Sequence, residues 1–119
     1  MTLLDVARCW LGFLALFELP AIHAHLYEEK RVTGFFGRLA NGGAERRLWS
    51  MVLLLLVITR TLAFIAPTRE SLTHCAAVHA AEAAFFGVEK LRYGGGGSAA
   101  ILAVIVLNAF FFLYVAASA

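Results

Sequence analysis

The chain has 119 residues and a formal charge of +2; 61% of its residues are hydrophobic and its mean hydropathy is +0.80. Soluble domains carry an apolar share of ~45–50%, so this composition speaks against a water-soluble fold. The small net charge, with no basic stripe interleaved with aromatics, speaks against a nucleic-acid partner.

Four apolar stretches, at residues 3–26, 48–66, 71–93 and 98–119, approach the ~20 helical residues that cross a ~30 Å hydrocarbon core. They predict an all-α integral membrane four-helix bundle, a single domain over residues 1–119. Its loops are short except for one longer basic loop between the first two helices.

The first stretch carries Asp5, Arg8 and Glu18, and Pro20 is expected to kink its far end. It reads as a retained span rather than a signal peptide. Asp5 stands where a positive n-region belongs, and Glu18 interrupts the apolar run. His23 and His25 read as interfacial side chains near the far end. The loop YEEKRVTGFFGRLANGGAERR, residues 27–47, holds Gly34, Gly37, Gly42 and Gly43, and its Phe35-Phe36 pair can dip into the interface.

The second stretch ends at Pro67, and Ser71 is placed as the N-cap of the third. The third is the least apolar. Its small residues Ala76, Ala80, Ala84 and Gly87 fall at spacings that let helix backbones approach closely, which predicts a central helix or a subunit interface. The glycine run 94–97 turns the chain into the fourth stretch, where Phe110, Phe111 and Phe112 surround the helix and Asn108 reads as polar glue between helices. Cys9 and Cys75 read as two buried apolar thiols.

Lys30, Arg31, Arg38, Arg46, Arg47, Lys90 and Arg92 fall at one end of the bundle (side B), against Arg8 and Arg69 at the other (side A). The positive-inside rule places side B in the cytosol, matrix or stroma, with both termini opposite.

Ionisable groups inside spans are functional candidates, and here they are Glu18, Arg60, His79 and Glu82. Counting ~1.5 Å per residue, Arg60 and His79 lie at similar depths and Glu82 about one turn deeper. An Arg60–Glu82 or Arg60–His79 contact between helices is therefore expected, as a polar clasp that fixes register or, on a sharper reading, as a proton or ligand site. His79-x-x-Glu82 is the reverse of the paired Glu-x-x-His motifs of di-iron bundles, and the four histidines do not pair at one depth for haem. No phosphate loop or dinucleotide fingerprint is present. No catalytic residue, metal or cofactor is expected. Small multidrug resistance transporters share the length, the four spans and a glutamate in the first span, but Arg60 is out of place in a cation pathway.

One set of residues has a further likeness: Arg8-Cys9-Trp10, Leu26-Tyr27-Glu28, Thr33-Gly34, Asn41-Gly42 leading to Arg46 and Trp49, Arg60, and Phe86, Glu89, Tyr93 and Gly94 in FFGVEKLRYG. Together they resemble the ergosterol biosynthetic protein 28 family, over nearly the whole chain. That family's histidine at the end of the third span is replaced by Phe85.

The resemblance implies a non-catalytic four-span scaffold of the endoplasmic reticulum that tethers the enzymes of sterol C-4 demethylation. Partners would be the oxidase, decarboxylating dehydrogenase and ketoreductase of that pathway, with membrane lipids around them. On the residues themselves, Glu89 is expected to pair locally or with Arg46 or Arg47, and Tyr93 and Trp49 to anchor helix ends. The alternative keeps the fold and moves the address, to a supernumerary subunit of a respiratory complex or ATP synthase in the mitochondrial inner membrane. A small proton-coupled transporter is the third reading. No nucleic acid and no small-molecule substrate are expected.

Overall fold

The computed structural model describes residues 1–27, 43–93 and 99–119. Among them are four α-helices and no strand: α1 (Leu3–Tyr27), α2 (Gly43–Ile65), α3 (Arg69–Tyr93) and α4 (Ala99–Ser118). Their 20 to 25 residues make helices about 30–38 Å long.

Two of the starts are capped reciprocally. Thr2 Oγ1 accepts from the Asp5 amide at 3.1 Å, while the Asp5 carboxylate accepts from the Thr2 amide at 2.8 Å. That is a capping box, with an added acidic group at the positive end of the helix dipole. At α3 the N-cap is Thr68 and not Ser71. The Thr68 hydroxyl accepts from the Ser71 amide at 3.1 Å, and the Ser71 hydroxyl accepts from the Thr68 amide at 3.0 Å. Ser71 also donates to the Ala66 carbonyl at 2.8 Å, so it ties both sides of Pro67 into one tight turn. Pro67 explains the shift: α2 stops before it, and α3 begins as soon as a hydroxyl can serve as cap.

α1 continues through Pro20 to Tyr27. α2 begins at Gly43, so Arg46 and Arg47 belong to its first turns rather than to the preceding loop, and Glu45 in that first turn favours the helix dipole. Gly34, Asn41, Gly42 and Gly94, the Phe35-Phe36 pair and most of the basic loop lie outside the described residues.

The helices are antiparallel neighbours in an up-down-up-down ring. α1 runs along α2 and α3 along α4, α2 and α3 meet over a shorter stretch, and α4 closes on α1 over the shortest. Long-range bonds fix the α1–α2 register. Arg8 Nε donates to the Phe64 carbonyl at 2.7 Å near one end, and Ser50 Oγ reaches the Ile22 carbonyl at 3.4 Å towards the other. At that first end all four helices contribute to one core, with Ala7 and Leu11 of α1, Ala63 of α2, Leu72 and Cys75 of α3 and Phe112 of α4 fully enclosed. Towards side B a smaller cluster of Phe86 and Ile105 joins α3 to α4, with Trp49 of α2 packed against it.

Two helical segments, Arg47–Ile65 and Ala99–Ser118, are long and apolar enough by themselves to cross a membrane. Such helices also occur as cores of soluble proteins, but there they are mostly buried, whereas here only 28% of each apolar window is enclosed. α1 carries Asp5, Arg8 and Glu18, and α3 carries Arg69, Glu70, Glu82, Glu89, Lys90 and Arg92. Of the four expected spans, two are thus helices apolar enough to cross by themselves, and two carry polar positions.

Candidate functional site

Arg60 is the hub of the bundle. Its side chain is almost fully enclosed, at 3% exposure, in the C-terminal part of α2, and it reaches two neighbouring helices. Nη1 donates to Glu18 Oε1 of α1 at 3.0 Å and makes a long contact of 3.5 Å to the Leu14 carbonyl. Nη2 lies 3.1 Å from Nε2 of His79 on α3. The tautomer of His79 follows from its partners. Nδ1 is 2.8 Å from the Cys75 carbonyl, which can only accept, so Nδ1 carries the hydrogen and Nε2 offers a lone pair to Arg60. Phe112 of α4 packs on the imidazole at 5.3 Å between ring centroids. Four helices therefore meet at one guanidinium–imidazole pair.

The clasp expected from the sequence is present for Arg60, His79 and Glu18. Glu82 is different: among the described residues it accepts no hydrogen bond and joins no ion pair. It lies within electrostatic range of Arg60 and Glu18. The reason is one of reach: Arg60 turns its two terminal nitrogens towards α1 and His79, and Glu82 sits a turn beyond His79. Arg60 Nε has no partner either.

Glu82 instead lines a groove of about 520 Å³ between α2 and α3, among Trp49, Val52, Leu56, Phe85 and Phe86. The groove continues towards side A past Val78 to Thr59 and His74. At its side-B end three rings cluster. Trp49 and Phe86 stack at 5.8 Å, Trp49 and Phe85 tilt at 6.0 Å, and Phe85 meets Phe86 edge-on at 5.4 Å. This cluster was missed in the sequence as a unit. The signal for it is Glu82, Phe85 and Phe86 at i, i+3 and i+4, one face of one helix.

A second interhelical bond closes the ring of helices. Trp10 Nε1 donates to Asn108 Oδ1 at 2.8 Å, joining α1 to α4, so Asn108 acts as glue between helices. Arg8 stacks over the Phe64 ring at 5.1 Å while bonding the Phe64 carbonyl.

The small-residue stripe of α3 does not close a helix pair along its length. Ala76 is buried, whereas Ala80 and Ala84 are exposed, and a Cβ on Gly87 would meet nothing within 4 Å. Ala76 and Ala80 instead line a shallow apolar groove against Phe110 and Leu113 of α4.

The remaining residues of interest are dispersed. Tyr27 is exposed and packs on His23 at 5.1 Å, and Phe86 is buried. Glu89 is half-buried and forms no ion pair among the described residues, contrary to the expected local pairing. The side chains of His25, Arg46 and Tyr93 lie outside the described residues. Cys75 is buried as expected, but Cys9 is exposed and both thiols are free, because Cys9 falls on the outer face of α1. No group of three or more His, Cys, Asp or Glu residues that could hold a metal ion occurs among the described residues.

Comparisons with protein-family models, with curated proteins and with solved structures find no match for this chain.

Proposed function

We propose that this chain is a four-span membrane protein that works as a non-catalytic scaffold or accessory subunit. The observation that carries the reading is its inverted polarity. Arg60, His79, Ser50 and Asn108 are enclosed, while Leu16, Phe17, Leu62, Leu107 and Phe110 stand 60–68% exposed. In water this arrangement would place a continuous apolar exterior against solvent, well beyond the few hundred Å² that soluble monomers expose. In lipid it is the expected order, with polar groups inward and satisfied by one another. The long dimension of 42 Å matches a bilayer with its headgroup regions, ~40–45 Å.

The same logic brings α1 and α3 into the membrane. Glu18 and His79 are neutralised or bonded through Arg60, and Asp5, Arg69, Glu70, Lys90 and Arg92 stand within a turn or so of helix ends, where charged heads reach the interface.

Glu18, Arg60, His79 and Asn108 are spent on bonds between helices, which supports an assembly role rather than chemistry. The pairing of Glu18 with Arg60 at 3.0 Å also disfavours Glu18 as a freely exchanging proton carrier. By the resemblance to the ergosterol biosynthetic protein 28 family, the assembly is the sterol C-4 demethylation complex at the endoplasmic reticulum. Affinity purification of the tagged chain in mild detergent, followed by native mass spectrometry, tests this. Recovery with the oxidase, dehydrogenase and ketoreductase supports it. Co-migration with a respiratory complex or ATP synthase moves the address to the mitochondrial inner membrane, and a solitary chain that converts or translocates a compound ends the scaffold reading.

A further inference from the structure

Two carboxyl groups, Glu18 and Glu82, stand near the single guanidinium of Arg60, and the His79 imidazole is neutral in the tautomer its partners impose. Glu18 is bonded to Arg60, which leaves Glu82 as the carboxyl group of the two with no ion pair among the described residues, on the wall of the α2–α3 groove. One turn further along the same face come Phe85 and Phe86, with Trp49 opposite on α2. Glu82, Trp49 and Phe85 line one groove, and a carboxyl group with aromatic rings in one site is the chemistry that attracts a positive charge, since aromatic faces draw cations within ~6 Å of the ring centre. Beyond Glu82 the groove is apolar along Val52, Leu56 and Val78. Its volume of about 520 Å³ falls in the ~300–1,000 Å³ range of small-molecule sites.

We propose that the α2–α3 groove binds an amphiphile carrying one ammonium charge. The charged head lies between the Glu82 carboxylate and the rings of Trp49 and Phe85, and the hydrocarbon tail lies along Val52, Leu56 and Val78. A neutral alcohol of the same length could use the apolar wall and one hydrogen bond to Glu82, but would gain neither the attraction of the aromatic groups nor an ion pair with the carboxylate. The selectivity for cation over alcohol is therefore the property that Glu82 and the rings confer. This site is independent of the partners that the scaffold reading names, and either can hold without the other.

The test uses the full chain in phosphatidylcholine vesicles. The two probes are 4-bromoundecyl-trimethylammonium and 4-bromoundecan-1-ol, compared at matched bilayer concentrations. The chain has two tryptophans, so Trp10→Phe leaves Trp49 as the only reporter, and the bromine, carried close to the head group, quenches it on binding. Saturable quenching is expected with the ammonium at a concentration at least ten-fold lower than with the alcohol. Glu82→Gln should abolish that preference and Glu82→Asp should keep most of it. Thermal stabilisation of the unmodified chain by the ammonium, lost in Glu82→Gln, gives the same answer without altering Trp10. Equal quenching by both probes, or a preference that survives Glu82→Gln, would overturn the proposal.

Discussion

The guanidinium of Arg60 lies 3.0 Å from the carboxylate of Glu18, joining residues 42 positions apart in sequence and on different helices. The pair is enclosed, with side-chain exposures of 4% and 18%. Removing one partner of such a pair strands the other charge, a change that is destabilising by about 3–5 kcal/mol. Arg60→Met should therefore lower the thermal stability of the detergent-solubilised bundle strongly, and Glu18→Gln less so, because His79 still engages Nη2. The double variant Glu18→Gln/Arg60→Met should recover part of the loss. Additive effects in this double-mutant cycle would show that the pair does not couple α1 to α2.

The Trp10–Asn108 bond is the only polar link described between α1 and α4, and those helices share the least contact of the neighbouring pairs. Hydrogen bonds between membrane helices contribute about 0.6 kcal/mol on average and up to about 2. Asn108→Leu should reduce stability by roughly that amount, with the loss concentrated in α1–α4 separation, read as a longer distance between spin labels on these two helices. An unchanged distance would mean that the four-helix ring closes through apolar contact alone.

Two helical glycines should behave oppositely. A Cβ on Gly12 would sit 3.2 Å from the Phe64 ring, whereas one on Gly87 would meet nothing within 4 Å. Gly12→Leu should force α1 from α2 and destabilise by about 1–3 kcal/mol, as overpacking does. Gly87→Ala should be neutral or stabilising by up to about 1 kcal/mol, from helix propensity. Thermal unfolding of both variants checks this; a large loss at Gly87 would reveal a close contact made by a partner chain.

The Pro67 turn depends on its hydroxyls. Thr68→Ala removes the cap of α3 and should lower stability by about 1 kcal/mol. Ser71→Ala, which also breaks the bond to the Ala66 carbonyl, should do at least as much. A stability unchanged in both variants would mean that proline alone sets this turn.

Much of the fold was legible in the sequence because apolar length is a direct physical requirement. The predicted stretches 71–93 and 98–119 end within two residues of α3 and α4. The start of α2 was less legible, since Gly43 to Arg47 read as loop by composition although a helix tolerates charge in its first turns. Depth counting along helices located Arg60 and His79 opposite one another, because rise per residue is fixed. It could not show which way a long side chain turns, and so it left Glu82 and His79 as alternative partners of Arg60, whereas the guanidinium turns to His79 and Glu18. The alanine stripe misled for a related reason: small residues permit close approach only on a face turned to a neighbour, and of these Ala76 is buried while Ala80 and Ala84 are exposed.

The central claim is that even the least apolar helix, α3, lies in lipid. Single cysteines at Ala80 and Ala84, both exposed on the isolated chain, test it most directly in native membranes, with Cys9 and Cys75 replaced by alanine and a membrane-impermeant maleimide as probe. The account predicts no labelling at either position until the membrane is dissolved, and ready labelling of whichever control cysteine, at Thr68 or at Arg92 on the two ends of α3, faces the outside of the sealed membrane. Prompt labelling of Ala80 and Ala84 positions in intact membranes would place α3 in water and contradict it.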